Sequence, residues 1–242
     1  MEVIPDYLRK PYGKPEENIL RLQFSMVKER VEVAKIHAEE LADSGLAALG
    51  EDFLMQFYYG VLLNDPDYYC YIYIVDGVVG GFTSFSINSR KVCQRAVCRY
   101  WPGLSWAVVK RIIRKPATIL TVWKLTISLL SMKNEPYSDV LAEGMSTAVA
   151  KPYRSIEFFR KTGINIGRTL YMEMARVLAK MGVRKIKGYT RKANVFVSAS
   201  LGYLGWKKVV DSCNPRGLAK EELSLWILDL DAQSDSSEKQ QQ

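Results

Sequence analysis

The chain is predicted to fold as an α/β domain, and three observations carry that expectation. Near the N-terminus, Leu20, Leu22, Phe24 and Met26 alternate with Arg21, Gln23 and Ser25, the period of a strand buried on one face. Farther on, two β-branched and aromatic runs flank Asp76-Gly77, a tight-turn signal that joins them as a hairpin. Finally, a strand from Val140 to Val149, a glycine-bearing loop, a helix from Ile166 to Met181 and a strand from Val183 to Thr190 form a βαβ unit. A βαβ unit implies parallel pairing at that point of the sheet.

The remaining elements follow in order. Glu29 to Ala42 is rich in strong helix formers, and Leu46 to Leu63 has helical spacing at Leu49, Phe53, Phe57 and Val61. The hairpin runs from Tyr69 to Val75 and from Val78 to Ile87, with Gly80-Gly81 inside it. Leu104 to Ile113 and Ala117 to Met132 read as two helices broken by Pro116, whose ring and missing N–H prevent continuation. Asn194 to Tyr203 forms a short helix ended near Gly205, and final strands are expected at Lys207 to Val210 and Leu223 to Leu230. The order is β-α-α-β-β-insert-β-α-β-α-β-β, one domain over residues 1–231, with no internal repeat.

Composition narrows the class. A chain of 242 residues with 48% hydrophobic content can bury a core. Residues 232–242 are a polar run expected to stay disordered. Met1 to Asp6 has neither the basic start nor the apolar stretch of a secretory signal, so a cytoplasmic protein is expected, possible contact with the inner membrane face included. Cys70, Cys93, Cys98 and Cys213 lack paired metal-ligand spacing and the one histidine, His37, is distant, so no metal site is expected. His37, inside the first helix, reads as a polar surface or helix-packing residue.

The net charge of +8 is concentrated in one insert, residues 88–135. Between Gly77 and Lys133 stand ten basic residues, Arg90, Lys91, Arg95, Arg99, Lys110, Arg111, Arg114, Lys115, Lys124 and Lys133, and no acidic one. The insert is also apolar and carries Trp101, Trp106 and Trp123, but its charges interrupt it too often for a bilayer span of roughly 20 residues. An amphipathic pair lying on anionic lipid and a helical cover over a substrate site both fit it.

Chemistry points first to the loop Thr162-Gly163-Ile164-Asn165-Ile166-Gly167-Arg168. At the start of a helix, exposed N–H groups and the positive dipole end favour an anion, and Gly163 and Gly167 allow close approach of a phosphate. The same glycines also suit a turn that only shapes and packs a helix. Asn165 is the non-glycine residue most tolerant of a left-handed backbone.

The stretch Thr162-Gly163-Ile164-Asn165-Ile166-Gly167-Arg168-Thr169-Leu170 resembles the pyrophosphate loop of the GNAT superfamily of N-acetyltransferases, usually Arg-Gly-x-Gly-Ile-Gly-x-x-Leu. Gly163, Ile166, Gly167 and Leu170 match it, and Thr162 and Asn165 depart from it. Ala142 to Val149 resembles the family strand that holds the pantetheine arm of acetyl-CoA, and it leads into the family-like Pro152-Tyr153-Arg154. Ser155 to Lys161 is an addition before the loop. Asn194 and Leu204-Gly205-Trp206 match the family's Asn-x-x-Ala…Leu-Gly-Phe helix, with Val197 in place of Ala. Ile36-His37-Ala38, Leu49 to Leu54 and the hairpin to Gly81-Phe82 resemble GNAT-like proteins encoded with bacterial surface-polysaccharide genes.

The resemblance implies a mixed, centrally splayed β-sheet flanked by helices, with a basic helical insert before the central strand. It also implies a cofactor site made of the loop Thr162, Gly163, Ile164, Asn165, Ile166, Gly167 and Arg168, the strand positions Thr147, Ala148 and Val149, and Asn194. It makes Glu143 the general base, directly or through water, with a salt-bridged or solvated strand carboxylate as the other reading. N–H groups near Ala148 and Val149 would serve the oxyanion. The family's acid, a tyrosine seven residues after Asn194, is here Leu201; Tyr203 and Tyr153 are the substitutes within reach of the sequence.

Three functions are compatible with these features. One is transfer of acetyl from acetyl-CoA to a small primary amine, an amino sugar among them. Another is transfer of a longer acyl group from acyl-CoA or acyl-carrier protein. The last is a non-catalytic module that binds nucleic acid or membrane through the insert.

Overall fold

The computed structural model describes residues 15–99, 137–213 and 222–231, together with Val109, Ile113 and Leu120, which are helical and exposed. The N-terminal residues 1–14, the expected helices between Leu104 and Met132, apart from those three positions, and the expected tail lie outside the described residues. No described helix is long and apolar enough to cross a membrane.

The strands are β1 (Ile19–Arg21), β2 (Tyr68–Val75), β3 (Val78–Ser86), β4 (Ala142–Val149), β5 (Lys185–Arg191), β6 (Lys207–Cys213) and β7 (Leu223–Asp229). They form a sheet of order β1-β2-β3-β4-β5-β7-β6. Every pairing is antiparallel except β4 with β5. The single parallel pair is the βαβ unit expected from the sequence, since strands joined through a helix return in the same direction.

Helices cover both faces. Helix α1 (Val27–Glu40) lays Val33, Ala34 and Ile36 against Ile72, Phe82 and Ala148 of the sheet. Beside it, α2 begins at Glu51–Phe53 and continues as a π turn, Leu54–Tyr58. Helix α3 (Ser89–Arg99) opens the basic insert, and Arg95 clamps it to the start of β2 with bonds of 2.6 to 2.7 Å to Asp65 and Asp67. On the opposite face, α5 (Ile166–Lys180) and α6 (Val195–Tyr203) bury Met174, Leu178 and Leu201 with Phe85, Ile186, Trp226 and Leu228. The stretch before α5 is itself a helix, α4 (Ile156–Thr162), which the sequence showed only as an addition.

Two further expectations are corrected. The period-two pattern from Leu20 to Met26 outruns its strand: β1 ends at Arg21, and the chain turns through the bond from Met26 N–H to the Gln23 carbonyl. Phe24 is thereby left exposed, with the Arg30 guanidinium 4.6 Å over its ring. The stretch Leu46 to Leu63 is not one helix but a 3-10 turn (Ala47–Leu49), α2 with its π turn, and another 3-10 turn (Val61–Asn64). The wider π turn lets the consecutive Phe57, Tyr58 and Tyr59 all face the core, which a regular helix of 3.6 residues per turn does not.

His37 is a core residue, fully buried rather than superficial. Its ring stacks on Phe82, Nδ1 lies 2.6 Å from the Tyr59 hydroxyl, and Nε2 lies 3.3 Å from Ser44 Oγ. Burial lowers its pKa from the ordinary 6.5 to about 4, so it is neutral at physiological pH. In the unfolded chain the ring takes up its proton at the ordinary pH. His37 therefore supports folding fully above about pH 6.5, and that support is lost as pH falls from there to about 4, by roughly 3 kcal/mol. Urea unfolding of the wild type and His37→Gln across this window should show the wild type's advantage shrinking as pH falls.

Candidate functional site

The N-terminus of α5 is built by a short relay of caps. Ser155 Oγ accepts the Phe158 N–H at the start of α4, and α4 ends where Gly163 adopts a left-handed φ of 71° and donates its N–H to the Phe159 carbonyl. Glycine adopts that conformation without a Cβ penalty. Thr162 Oγ1 then accepts the Ile164 N–H. Asn165 is extended, with φ −103° and ψ 96°, and its Oδ1 caps α5 by accepting the Arg168 N–H at 3.0 Å. The left-handed position of the loop is thus Gly163, and Asn165 serves as an N-cap, a role its side chain favours.

These bonds occupy the N–H groups of Gly163, Ile164 and Arg168. Among the described residues, those of Asn165, Ile166 and Gly167 find no protein acceptor, as the first turn of a helix dictates. Three adjacent donors at the positive end of a helix have the chemistry to hold an anion. Arg168 flanks it, its guanidinium 4.4 Å over the Tyr203 ring.

The site is seated on the hairpin through Gly80-Gly81. A Cβ on Gly81 would lie 3.0 Å from the Ala148 carbonyl oxygen and 3.0 Å from Ile166 Cγ2. Only glycine lets the first residue of α5 approach the sheet so closely.

Beside the anion site the sheet opens. Strand β4 pairs with β5 only from Ala142 to Gly144, whereas β3 follows it to Val149 and β7 follows β5 to Arg191. Past Gly144 and Gly188 the two central strands therefore diverge. Met145 is an extra residue in β4, at the irregularity between Ser84 and Phe85. Ala150 donates its N–H to Gly80 of β3, so by strand alternation Ala148 also points its main chain at β3, while Thr147 and Val149 point theirs into the gap.

The gap has a floor. Thr147 Oγ1 lies 2.8 Å from Thr83 Oγ1 on the α5 face. The Tyr171 phenol lies close to Thr147, and its pKa is raised by burial, an effect the Thr147 hydroxyl partly offsets. The Tyr171 ring meets Trp206 edge-on at 6.3 Å, and Trp206 packs beneath Gly188 of β5.

Glu143 faces the other side of the sheet, because a Cβ on its neighbour Gly144 would point at Met174 of α5. It belongs to a row of register partners, Tyr68, Ser86, Glu143 and Lys187, running across β2, β3, β4 and β5. All four are buried, Glu143 to 2% exposure and Lys187 to 3%, which removes the reading of Glu143 as a solvated carboxylate. The Ser86 hydroxyl is buried without a hydrogen-bond partner among the described residues, while the Tyr68 phenol is buried close to Ser84 and Tyr58.

The other expected residues are distributed around these two features. Asn194 caps α6, its Oδ1 accepting the Val197 N–H at 3.1 Å. Leu201 is sealed in the core while Tyr203, two residues on, is exposed beside Arg168. Tyr153 packs edge-on against Phe158 of α4, with Ile166 and Leu170 nearby. Tyr171 and Lys187 were missed by the sequence reading. Tyr171 had a signal, since Gly167, Tyr171 and Met174 fall on one stripe of a helix. Lys187 had none, because its pairing with Glu143 is a matter of register.

A mixed sheet splayed between two parallel central strands, with an open helix N-terminus at the mouth of the splay, is the fold of the GNAT N-acetyltransferases. Solved structures share it. The ribosomal-protein-alanine N-acetyltransferase of Brucella melitensis aligns with 87% of this chain and 98% of its own, at a TM-score of 0.52 and 12% identity. An N-acetyltransferase of Staphylococcus aureus Mu50 aligns over 88% and 99%, at 0.51 and 11%. Arabidopsis thaliana NAA60, in complex with acetyl-CoA, aligns over 88% and 98%, at 0.50 and 12%. No protein-family model and no curated protein sequence matches the chain. At these identities the likeness is one of fold.

The seat of α5 makes a stability prediction. Gly81→Ala should cost about 1 to 3 kcal/mol through the forced contacts with Ala148 and Ile166, read as a fall of several degrees in Tm. An unchanged Tm would show that α5 does not depend on this approach.

Proposed function

We propose that the chain is an acyl-CoA-dependent N-acyltransferase that transfers acetyl from acetyl-CoA to a primary amine by direct attack in a ternary complex. One observation carries this reading: the free N–H groups of Asn165, Ile166 and Gly167 stand at the mouth of a gap whose wall offers the N–H groups of Thr147 and Val149. A diphosphate followed by an extended amide-bearing arm has the matching chemistry. The anion takes the helix end, and the arm pairs with the edge of β4, which spans roughly 17 Å from Gly144 to Val149 at about 3.3 Å per residue. In this reading Thr162, Gly163 and Ile164 shape the loop, Arg168 adds charge, and Asn194 contributes its remaining amide N–H groups.

The amine attacks only when neutral, so a base must take its proton. Glu143 is the carboxylate on the face of β4 opposite α5, and we assign it that role, directly or through water. The unpartnered Ser86 hydroxyl, beside Glu143 in the same row, favours a hydroxylated acceptor, for which an amino sugar is a fitting class. Transfer of longer acyl groups, and binding of membrane or nucleic acid, rest mainly on the stretch 100–136, which apart from Val109, Ile113 and Leu120 lies outside the described residues.

Acetyl-CoA should raise Tm, with about 2.7 kcal/mol of stabilisation at a hundredfold excess over Kd. A Cβ at Gly167 would lie 3.6 Å from Asn165 Oδ1 and from Val149 Cγ2, ordinary contacts, so Gly167→Ala should fold as well as the wild type while its methyl obstructs a phosphate. Its thermal shift with acetyl-CoA should be much reduced. No shift of the wild type with acetyl-CoA, longer acyl-CoAs or CoA would overturn the reading. With a competent amine, Glu143→Gln should keep the acetyl-CoA shift and lose about 100- to 10,000-fold in rate; full activity across pH would remove Glu143 as the base.

A further inference from the structure

A thioester attacked by an amine releases a thiolate, and the residue at the usual position for a donor to that sulfur, Leu201, is 2% exposed within the core. The other tyrosines proposed from the sequence do not face the gap. Tyr203 is drawn to Arg168 at the phosphate end, and Tyr153 packs on Phe158 near Gly80. Tyr58, Tyr59 and Tyr68 lie on the α1 face, where Tyr59 is bonded to His37.

Tyr171 differs from all of these in position. On α5, Gly167 adjoins Val149 and Met174 adjoins Gly144, so Tyr171 lies between them, under the part of β4 that has lost its partner. Its phenol is near the Thr147 side chain on one wall, and its ring meets Trp206, which packs beneath Gly188 of the other wall. The side chain therefore bridges the floor of the gap where the strands part.

We infer that Tyr171 donates a hydrogen bond to the sulfur of the departing thiolate, replacing from helix α5 the tyrosine that α6 lacks at Leu201. This rests on the acyltransferase reading above. Glu143 first passes the ammonium's proton on to solvent. The nitrogen lone pair then forms the N–C bond, the C–S electron pair goes to sulfur, and the proton that the nitrogen sheds passes to Glu143. Sulfur, whose thiol has an ordinary pKa of about 8.5, leaves as the thiolate and is protonated by solvent afterwards. The phenol stays neutral throughout, and burial, which raises its pKa, keeps it so.

Tyr171→Phe preserves the ring and its contact with Trp206. It should keep Tm, KM for acetyl-CoA and the acetyl-CoA thermal shift, and lose roughly 10- to 100-fold in kcat, the worth of one hydrogen bond to a developing charge. The defect should shrink with the selenoester analogue of acetyl-CoA, because the selenolate is a weaker base that needs less stabilisation. An unchanged kcat, or an equal loss with both donors, overturns the inference while leaving the acyltransferase reading intact. A wild type that neither binds acetyl-CoA nor acylates an amine removes both. If Tyr171→Phe does not fold, Thr147→Val removes the hydroxyl beside the phenol at nearly constant shape. It should show a smaller kcat loss with the same dependence on donor, and a loss equal for both donors overturns the inference.

Discussion

The parting of β4 from β5 after Gly144 and Gly188 is the constraint on which the rest of the site depends. Two neighbouring strands normally satisfy each other's main chain along their length. Here the shared register stops after the residue pairs Ala142–Ile186, Glu143–Lys187 and Gly144–Gly188, and both strands continue with other partners on their far sides. The two glycines sit where Met174 and Trp206 press against the sheet from below. Beyond them the N–H groups of Thr147 and Val149 face the gap.

The divergence also sorts the chemistry by face. Helix α5 brings its open N-terminus, Tyr171 and Met174 to one side, while α1 and the π turn of α2 cover the other with His37, Tyr58 and Tyr59. Glu143 belongs to the second side and the anion site to the end of the first. In the proposed reaction, acyl donor and amine therefore approach β4 from different directions, and the base is kept off the side that holds the leaving sulfur. Gly80 and Gly81 tie the arrangement together by letting Ile166 rest on the hairpin.

Much of this was legible in the residues. The hairpin turn was marked by Asp76-Gly77, both of which take positive φ, and the βαβ unit by its strand, loop and helix. The misreadings share a cause, which is that a periodic pattern shows amphipathicity and not where it stops. Leu20 to Met26 kept a period of two through a turn, and Leu46 to Leu63 kept a helical period across a π turn that only aromatic packing explains. At Asn165 the sequence admitted a left-handed backbone, and the need to cap α5 chose an extended one.

The sequence by itself determined the order of the strands, the glycine-bearing turn at the head of α5 and the absence of a tyrosine at Leu201, because propensity, turn chemistry and spacing are local. Only the tertiary structure decided that Glu143 lies buried beside Lys187, that Tyr203 turns to Arg168, and that Tyr171 reaches the gap. Those placements follow from strand register and from which helix face meets the sheet, and both are set by contacts between residues far apart in the chain.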